Sequence, residues 1–385
     1  MTMRLCFLPF LSLLAIACGD GATDPLADGN AAIRAALTIN PEALPQYVSA
    51  PLPAFYDAAV LAREDRTQGA PLTDAGVTLG RVLFYERQLS RNGTVSCASC
   101  HAGTNAFGDT AQFSRGFDGA VTAMHSMRLV NVRFNQDGRA FWDKRAPTLE
   151  AQTTQPIQDA GEMGFDAAHG GLTAAFARLS ALPYYPPLFR LAFGDSVITG
   201  DRVQRALAQY VRAIVSTQSR WDAAAAQVFN PTNPNGSLSG PFPGFTPEEQ
   251  EGKQVFQGTG CAGCHVPPSF SLTAGSRSNG LDAGETRIFR SPSLKHMGGG
   301  SRFMHDGRFT SLEQVVAFYD SGIQAGPALD PRLMAPPLVP GGPPSGIPRR
   351  LNLTAGQRAA LAAFLRTLND DALTADPRFS DPFRR

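Results

Sequence analysis

Apolar positions along this chain recur at three- and four-residue spacing and rarely alternate, a pattern that predicts helices and few strands. After Thr73-Asp74, Leu79, Val82 and Leu83 fall on one helical face. Asp201 precedes Val203, Leu207, Tyr210, Val211 and Ile214 at the same spacing. Thr246-Pro247-Glu248-Glu249 is a capping box with proline at the first helical position, and it opens a helix running toward Phe256. Thr310-Ser311-Leu312-Glu313 caps a helix carrying Leu312, Val315, Val316 and Tyr319. Thr354 precedes Leu361, Phe364, Leu365 and Leu368. Between these segments the chain is rich in turn formers, with 38 glycines and 30 prolines, which implies long irregular connections. The densest such stretch, Asn230 to Gly244, is predicted to break the chain and to sustain neither helix nor central strand.

At 385 residues, 43% of them hydrophobic and 17% charged, the chain exceeds one ordinary domain, fits two, and is not a disordered one. A formal net charge of +1 argues against nucleic-acid binding driven by bulk charge. The N-terminus pairs Arg4 with an apolar run from Cys6 to Ala17, predicting a signal peptide over 1–17. That run is too short to cross a bilayer, which takes about 20 residues. Ala15-Ile16-Ala17-Cys18 resembles a bacterial lipobox, making Cys18 a candidate lipid anchor; an ordinary secretory signal cut nearby is the alternative. Either way the expectation is export to the periplasm, with 18–50 as a linker.

Six cysteines decide the chemistry. Cys6 leaves with the leader and Cys18 is the anchor candidate. The remaining four stand in Cys97-Ala-Ser-Cys100-His101 and Cys261-Ala-Gly-Cys264-His265. Cys-x-x-Cys-His is the attachment signature of c-type haem. Two thiols three positions apart add to the two vinyl groups on one porphyrin edge, and the next residue reaches the iron. A lone Cys-x-x-Cys would also suit a redox disulfide or half a zinc site. Two copies, each followed directly by histidine, do not. The expected cofactors are therefore two covalent haems c, with His101 and His265 as proximal iron ligands. The expected fold is mainly α: two cytochrome c-type haem domains with long irregular loops, over 51–235 and 236–385.

Further segments resemble a known family. Leu79-Gly-Arg-Val-Leu-Phe84, Leu89-Ser90, Gly93-Thr94 and Ser96 to His101 resemble the N-terminal haem motif of bacterial dihaem cytochrome c peroxidases. Phe141-Trp-Asp-Lys-Arg145, Leu149-Glu-Ala-Gln152, Pro156 and Glu162-Met163 resemble the segment that follows it. Phe303-Met-His-Asp-Gly-Arg308 with Ser311-Leu-Glu313 resembles the stretch after the second haem. MauG and MbnH, which oxidise residues of partner proteins, belong to the same superfamily. His125-Ser-Met-Arg-Leu-Val-Asn131 resembles the MbnH branch, which has asparagine where His125 stands.

The resemblance implies roles. Glu162 matches the distal glutamate that moves a proton between the peroxide oxygens, and Gln152 the distal glutamine. Pro156 lines the same pocket, and Trp142 is the tryptophan between the haems. Glu162 read alone is also an ordinary loop carboxylate, and Trp142 a core residue. Conventional members close the first iron with a histidine; Phe117 stands nearest to that position, which predicts an open iron, with His125 as a possible replacement. His125 otherwise matches an asparagine of an interdomain calcium site in the family; the resemblance thus adds one calcium ion to the cofactors, and histidine in place of an oxygen ligand argues against it. Tyr319 matches the sixth ligand of the second iron, with Met304, Met297 and His296 as rivals and a core tyrosine as the plain alternative. His169, His296 and His305 read as structural or surface groups.

Three functions compete at this level. One is reduction of hydrogen peroxide with electrons from a small redox protein, a cytochrome c or a cupredoxin, relayed by the C-terminal haem. Another is peroxide-dependent oxidation of residues in a partner protein. The last is a dihaem electron carrier without catalysis, which Glu162 and Gln152 argue against.

Overall fold

The computed structural model describes residues 25–49, 51–65, 71–272, 275–297, 302–337 and 339–385. The leader and Cys18 lie outside them. Helices dominate, and the only extended pairings among the described residues are isolated bridges. No described helix is long and apolar enough to cross a membrane.

Two hydrophobic cores organise the chain. The first gathers helices Asp74–Tyr85, Gly171–Ser180, Tyr185–Phe193 and Gly200–Ala213. Leu79, Val82 and Leu83 are fully buried in it, as their shared face predicts. The second gathers helices Arg220–Val228, Pro247–Gly258, Leu312–Ala317 and Ala355–Arg366 around Trp221, Phe256, Phe270 and Phe364. Caps form where the sequence places them at Thr73, Thr246 and Thr354; the helix that carries Val203 is capped by Thr199.

Each core is built on one close helix crossing. A Cβ on Gly80 would sit 2.0 Å from the carbonyl oxygen of Ala206, and one on Gly252 would sit 1.9 Å from that of Ala360. Only glycine lets helix 74–85 meet helix 200–213, and helix 247–258 meet helix 355–366, at that separation.

Three features depart from the sequence reading. The Asn230–Gly244 break contains a helix, Pro234–Ser239, because the Asn233 side chain accepts from Gly236 N and proline occupies its first turn. The segment expected as a linker carries helix Pro25–Ala36, and Ile33, Leu37 and Ile39 are buried in the first core. The two expected units also exchange their ends: Phe55, Tyr56 and Val60 pack in the second core, while Leu373 and Phe379 pack in the first. The apolar side chains at 55–60 and at 373–379 find their cover on the other unit, which sequence order does not reveal.

Candidate active site: two cavities sharing a wall

The two Cys-x-x-Cys-His motifs fold alike. Cys97–Cys100 is one helical turn closed by a Ser96–Ser99 capping box, and Cys261–Gly263 is a single 3₁₀ turn. In each, the histidine N–H donates to the first cysteine's carbonyl at 2.9 Å. His101 Nδ1 lies 3.1 Å from the carbonyl of Phe107, and His265 Nδ1 lies 3.4 Å from that of Phe270. Both phenylalanines adopt left-handed backbone, φ 55° and 52°, which turns their carbonyls back onto the imidazoles. A serine hydroxyl then faces each Nε2: Ser126 at 3.3 Å from His101 and Ser291 at 3.4 Å from His265.

Each motif opens on its own cavity, about 370 Å³ for the first and 210 Å³ for the second. Cys97, Cys100 and His101 line the first, together with Gln152, Pro156, Glu162 and His125. Cys261, Cys264 and His265 line the second, together with Tyr319, Met304, Met297 and His305. Trp142 and Arg290 line both. No disulfide joins the four thiols. Burial pushes Cys97 and Cys100 up to about 12 and 11, and holds His265 down to about 4.

On the first cavity, Gln152 rides helix Leu149–Thr153, capped by Thr148, and Pro156 sits in the next short helix, Gln155–Gln158. The helix bearing Gln152 is fixed by Arg212, whose guanidinium bonds Glu150 at 2.5 and 3.1 Å and Asp65 at 2.8 Å, all three buried. Glu162 follows a turn in which Asp159 Oδ1 accepts its N–H at 3.0 Å. Burial, then the Asp159 charge, raises the Glu162 carboxyl above its ordinary value, opposed by Arg145.

Phe117 departs from its expected place. It is absent from the cavity wall; its ring packs on Gly164 beneath the Arg91 guanidinium, 4.9 Å away. Gly164, at φ 80°, leaves the room for it, and Phe117 N–H donates to the carbonyl of Glu162 at 2.9 Å. His125 faces the cavity instead, its Nδ1 tied to the carbonyl of Gln112 at 3.1 Å.

On the second cavity, helix Leu312–Ala317 widens into a π turn, Phe318–Gly322, and that turn carries Tyr319. Burial pushes its phenol up to about 12. Asn279 Nδ2 reaches both Tyr319 Oη, at 3.5 Å, and Met304 Sδ, at 3.4 Å. His296 is occupied elsewhere: Nε2 meets Thr374 Oγ1 at 2.9 Å and Nδ1 accepts from Asp370 N at 3.1 Å. His169 pairs with Asp166 at the surface. His305, expected as structural or surface, stacks on Phe289 at 4.1 Å and stands on the cavity wall. Asp282, Glu285 and His305 come within 4.8 Å of one another, but Arg308 and Arg287 already neutralise the two carboxylates.

Three lining residues escaped the sequence reading. Arg128 and Arg290 each leave Nε without a partner, and Asn279 leaves Oδ1 so. Burial pushes both guanidiniums down to about 10. No motif marks a buried arginine that lacks a protein carboxylate.

Residues 74–228 match the family model described as di-haem cytochrome c peroxidase. The methylamine utilization protein MauG of Methylorubrum extorquens is 33% identical over 276 residues, 67% of this chain and 72% of that protein. This chain is a member of the di-haem cytochrome c peroxidase and MauG family. The cytochrome c551 peroxidase of Nitrosomonas europaea is 27% identical over 62% of this chain and 70% of its own. A crystal structure of a MauG-like protein associated with microbial copper homeostasis superposes with a TM-score of 0.64 at 27% identity, covering 88% of this chain and 98% of the other. Family membership makes the protein an oxidoreductase of the di-haem peroxidase type and implies two c-type haems.

Proposed function

We propose that the protein is an exported dihaem peroxidase that consumes hydrogen peroxide at the first cavity and moves electrons there through the second. One observation carries this reading: Glu162 and Gln152 line the same cavity as Cys97, Cys100 and His101, while the carboxylate on the second cavity, Asp330, is held in an ion pair by Arg332.

Both cavities fit a c-type haem. Their thiols are free, each histidine lines its cavity, and a carbonyl beside Nδ1 orients its ring. Arg290, buried, and Arg128, half-buried, each with a buried Nε that has no partner, suit the propionates. Cys97, Cys100 and His101 would hold a haem in the first cavity, and that group would supply the redox chemistry for peroxide. Glu162 accepts a proton from the inner peroxide oxygen and returns it to the outer one, so that water leaves. Gln152 orients the peroxide by hydrogen bonding, and Pro156 shapes the wall beside it. Trp142, shared by both cavities, carries the electron between them. Cys261, Cys264 and His265 would hold the second haem, and Tyr319, on the same cavity, is the further residue we assign to its iron.

The electron donor in this reading is a small cytochrome c or cupredoxin. A second reading, peroxide-dependent oxidation of a partner protein, is favoured by Tyr319 on the second cavity and by the likeness to MauG. Steady-state peroxide consumption by the haem-loaded protein with a reduced small cytochrome c separates the two. Sustained turnover supports the reductase. Rapid single-turnover reaction with peroxide but no turnover supports the second reading. No reaction with peroxide rejects both.

A further inference from the structure

All seven tyrosines fall among the described residues, and they divide by what accepts their phenol protons. Tyr47 donates to the carbonyl of Arg378, Tyr56 to those of Ser216 and Pro268, and Tyr85 and Tyr210 to that of Phe379. A carbonyl oxygen cannot hold a transferred proton near neutral pH. Tyr319 is met by the Asn279 amide. Tyr184 and Tyr185 alone donate to a carboxylate, the same Oε2 of Glu86, at 2.8 and 3.0 Å.

Glu86 is 4% exposed, and no cation pairs with it among the described residues. Its other oxygen accepts from Gln88 N at 2.8 Å. It ends helix Asp74–Tyr85 two residues after Phe84, which lines the first cavity. Tyr185 is fully buried, and burial, Glu86, Tyr184 and then Cys97 raise its phenol far above the ordinary value. Tyr184 lies outward of it, 9% exposed, with ring centroids 4.9 Å apart.

We infer that Tyr184, Tyr185 and Glu86 form a proton-coupled oxidation site that takes up an oxidising equivalent generated from peroxide at the first cavity. The inference rests on the reading of that cavity given above. One electron leaves a tyrosine for the oxidised centre, the phenol O–H bond breaks, and the proton passes to Glu86 Oε2. The products are a neutral tyrosyl radical and a neutral glutamic acid; re-reduction returns the proton to the phenol. Removing the electron without the proton would leave a buried cation, which a low-dielectric interior strongly disfavours. The carboxylate at hydrogen-bond distance removes that cost. Tyrosines bonded to carbonyls have no such exit, so the site is specific to this pair. It gives the first unit a place to hold an oxidising equivalent when no electron donor is bound.

The test is electron paramagnetic resonance of the haem-loaded full chain, freeze-quenched after equimolar hydrogen peroxide without donor. A radical that narrows with ring-deuterated tyrosine, and splits when 3-fluorotyrosine replaces Tyr184 or Tyr185, is expected. Glu86→Gln keeps a hydrogen-bond acceptor but cannot take the proton; it should slow radical formation by about 10²-fold, the lower end of what a positioned proton acceptor supplies. Tyr85→Phe should change nothing. An optical reaction with peroxide but no tyrosine signal, or an undiminished signal in Glu86→Gln, overturns the inference and leaves the reading of the first cavity standing. No optical reaction at all overturns both. If Glu86→Gln does not fold, the fluorotyrosine splitting in the otherwise unchanged chain decides.

Discussion

The indole Nε1–H of Trp142 donates to the main-chain oxygen of His125 at 2.7 Å. The carbonyl of the same tryptophan accepts from Arg290 N at 2.7 Å. His125 precedes Ser126, which faces His101, and Arg290 precedes Ser291, which faces His265. Trp142 is therefore bonded to the residue before each of these two serines, and this sets its ring on the wall between the cavities.

Trp142→Phe keeps an aromatic ring but loses the donor. It should cost about 1 kcal/mol of stability, the net value of one hydrogen bond, readable as a lowered denaturation midpoint. It should also slow oxidation of the second haem after peroxide reacts at the first, followed by stopped-flow absorbance. An unchanged rate would return Trp142 to a packing role.

Mass spectrometry of the mature protein, expressed with a haem-attachment system, should show two haem additions that survive acid acetone. Cys100→Ala should weaken the first attachment and Cys264→Ala the second, each without affecting the other, since the four thiols line separate cavities.

The helices were legible because their apolar faces and caps are local: Thr73, Thr246 and Thr354 act within one turn. The haem motifs were legible because covalent chemistry fixes their spacing. What escaped depends on distant residues. The crossing at Gly80 is invisible without the carbonyl of Ala206 above it. Phe117 lies in a loop whose course is set by Gly164 and the carbonyl of Glu162, neither readable from the sequence as its partner. Asn233 lies within a run of turn formers, and only its side-chain bond to Gly236 turns that run into a helix.

The burial that raises the Glu162 carboxyl should appear in kinetics. Its role requires the ionised form, so the single-turnover rate with peroxide should fall as pH drops through a midpoint above the ordinary glutamate value of about 4.3. Arg145→Met removes the opposing charge and should move that midpoint further up. Glu162→Gln should slow the reaction by about 10²–10⁴-fold and flatten the profile, with both ferric spectra retained. Gln152→Ala should cost less, because it orients without transferring a proton.

His125, not Phe117, faces the first cavity, and its Nδ1 is held by the carbonyl of Gln112. A high-spin signal in the as-isolated ferric protein would mean the first iron is open and no reductive activation is needed. A purely low-spin spectrum that becomes partly high-spin in His125→Ala would identify His125 as the closing ligand. Phe117→Ala should leave the spin state unchanged in either case.

Asn279 reaches both Tyr319 Oη and Met304 Sδ, so the two candidate ligands of the second iron share one amide. Met304 is held at φ 71°, a conformation a methionine rarely adopts, while Tyr319 sits on a π turn, a feature frequent at functional sites. Burial keeps the free phenol protonated up to about 12, so a phenolate at neutral pH needs the charge of the iron beside it. If Tyr319 is the ligand, Tyr319→Phe should raise the reduction potential of the second haem or leave it high-spin, because a phenolate stabilises the ferric state. Asn279→Ala should shift the same potential by less, having removed only a hydrogen bond to the ligand. Met304→Leu should then leave the spectrum unchanged. The opposite pattern, a silent Tyr319→Phe and a high-spin Met304→Leu, would give the iron to the thioether and return Tyr319 to the wall of the cavity.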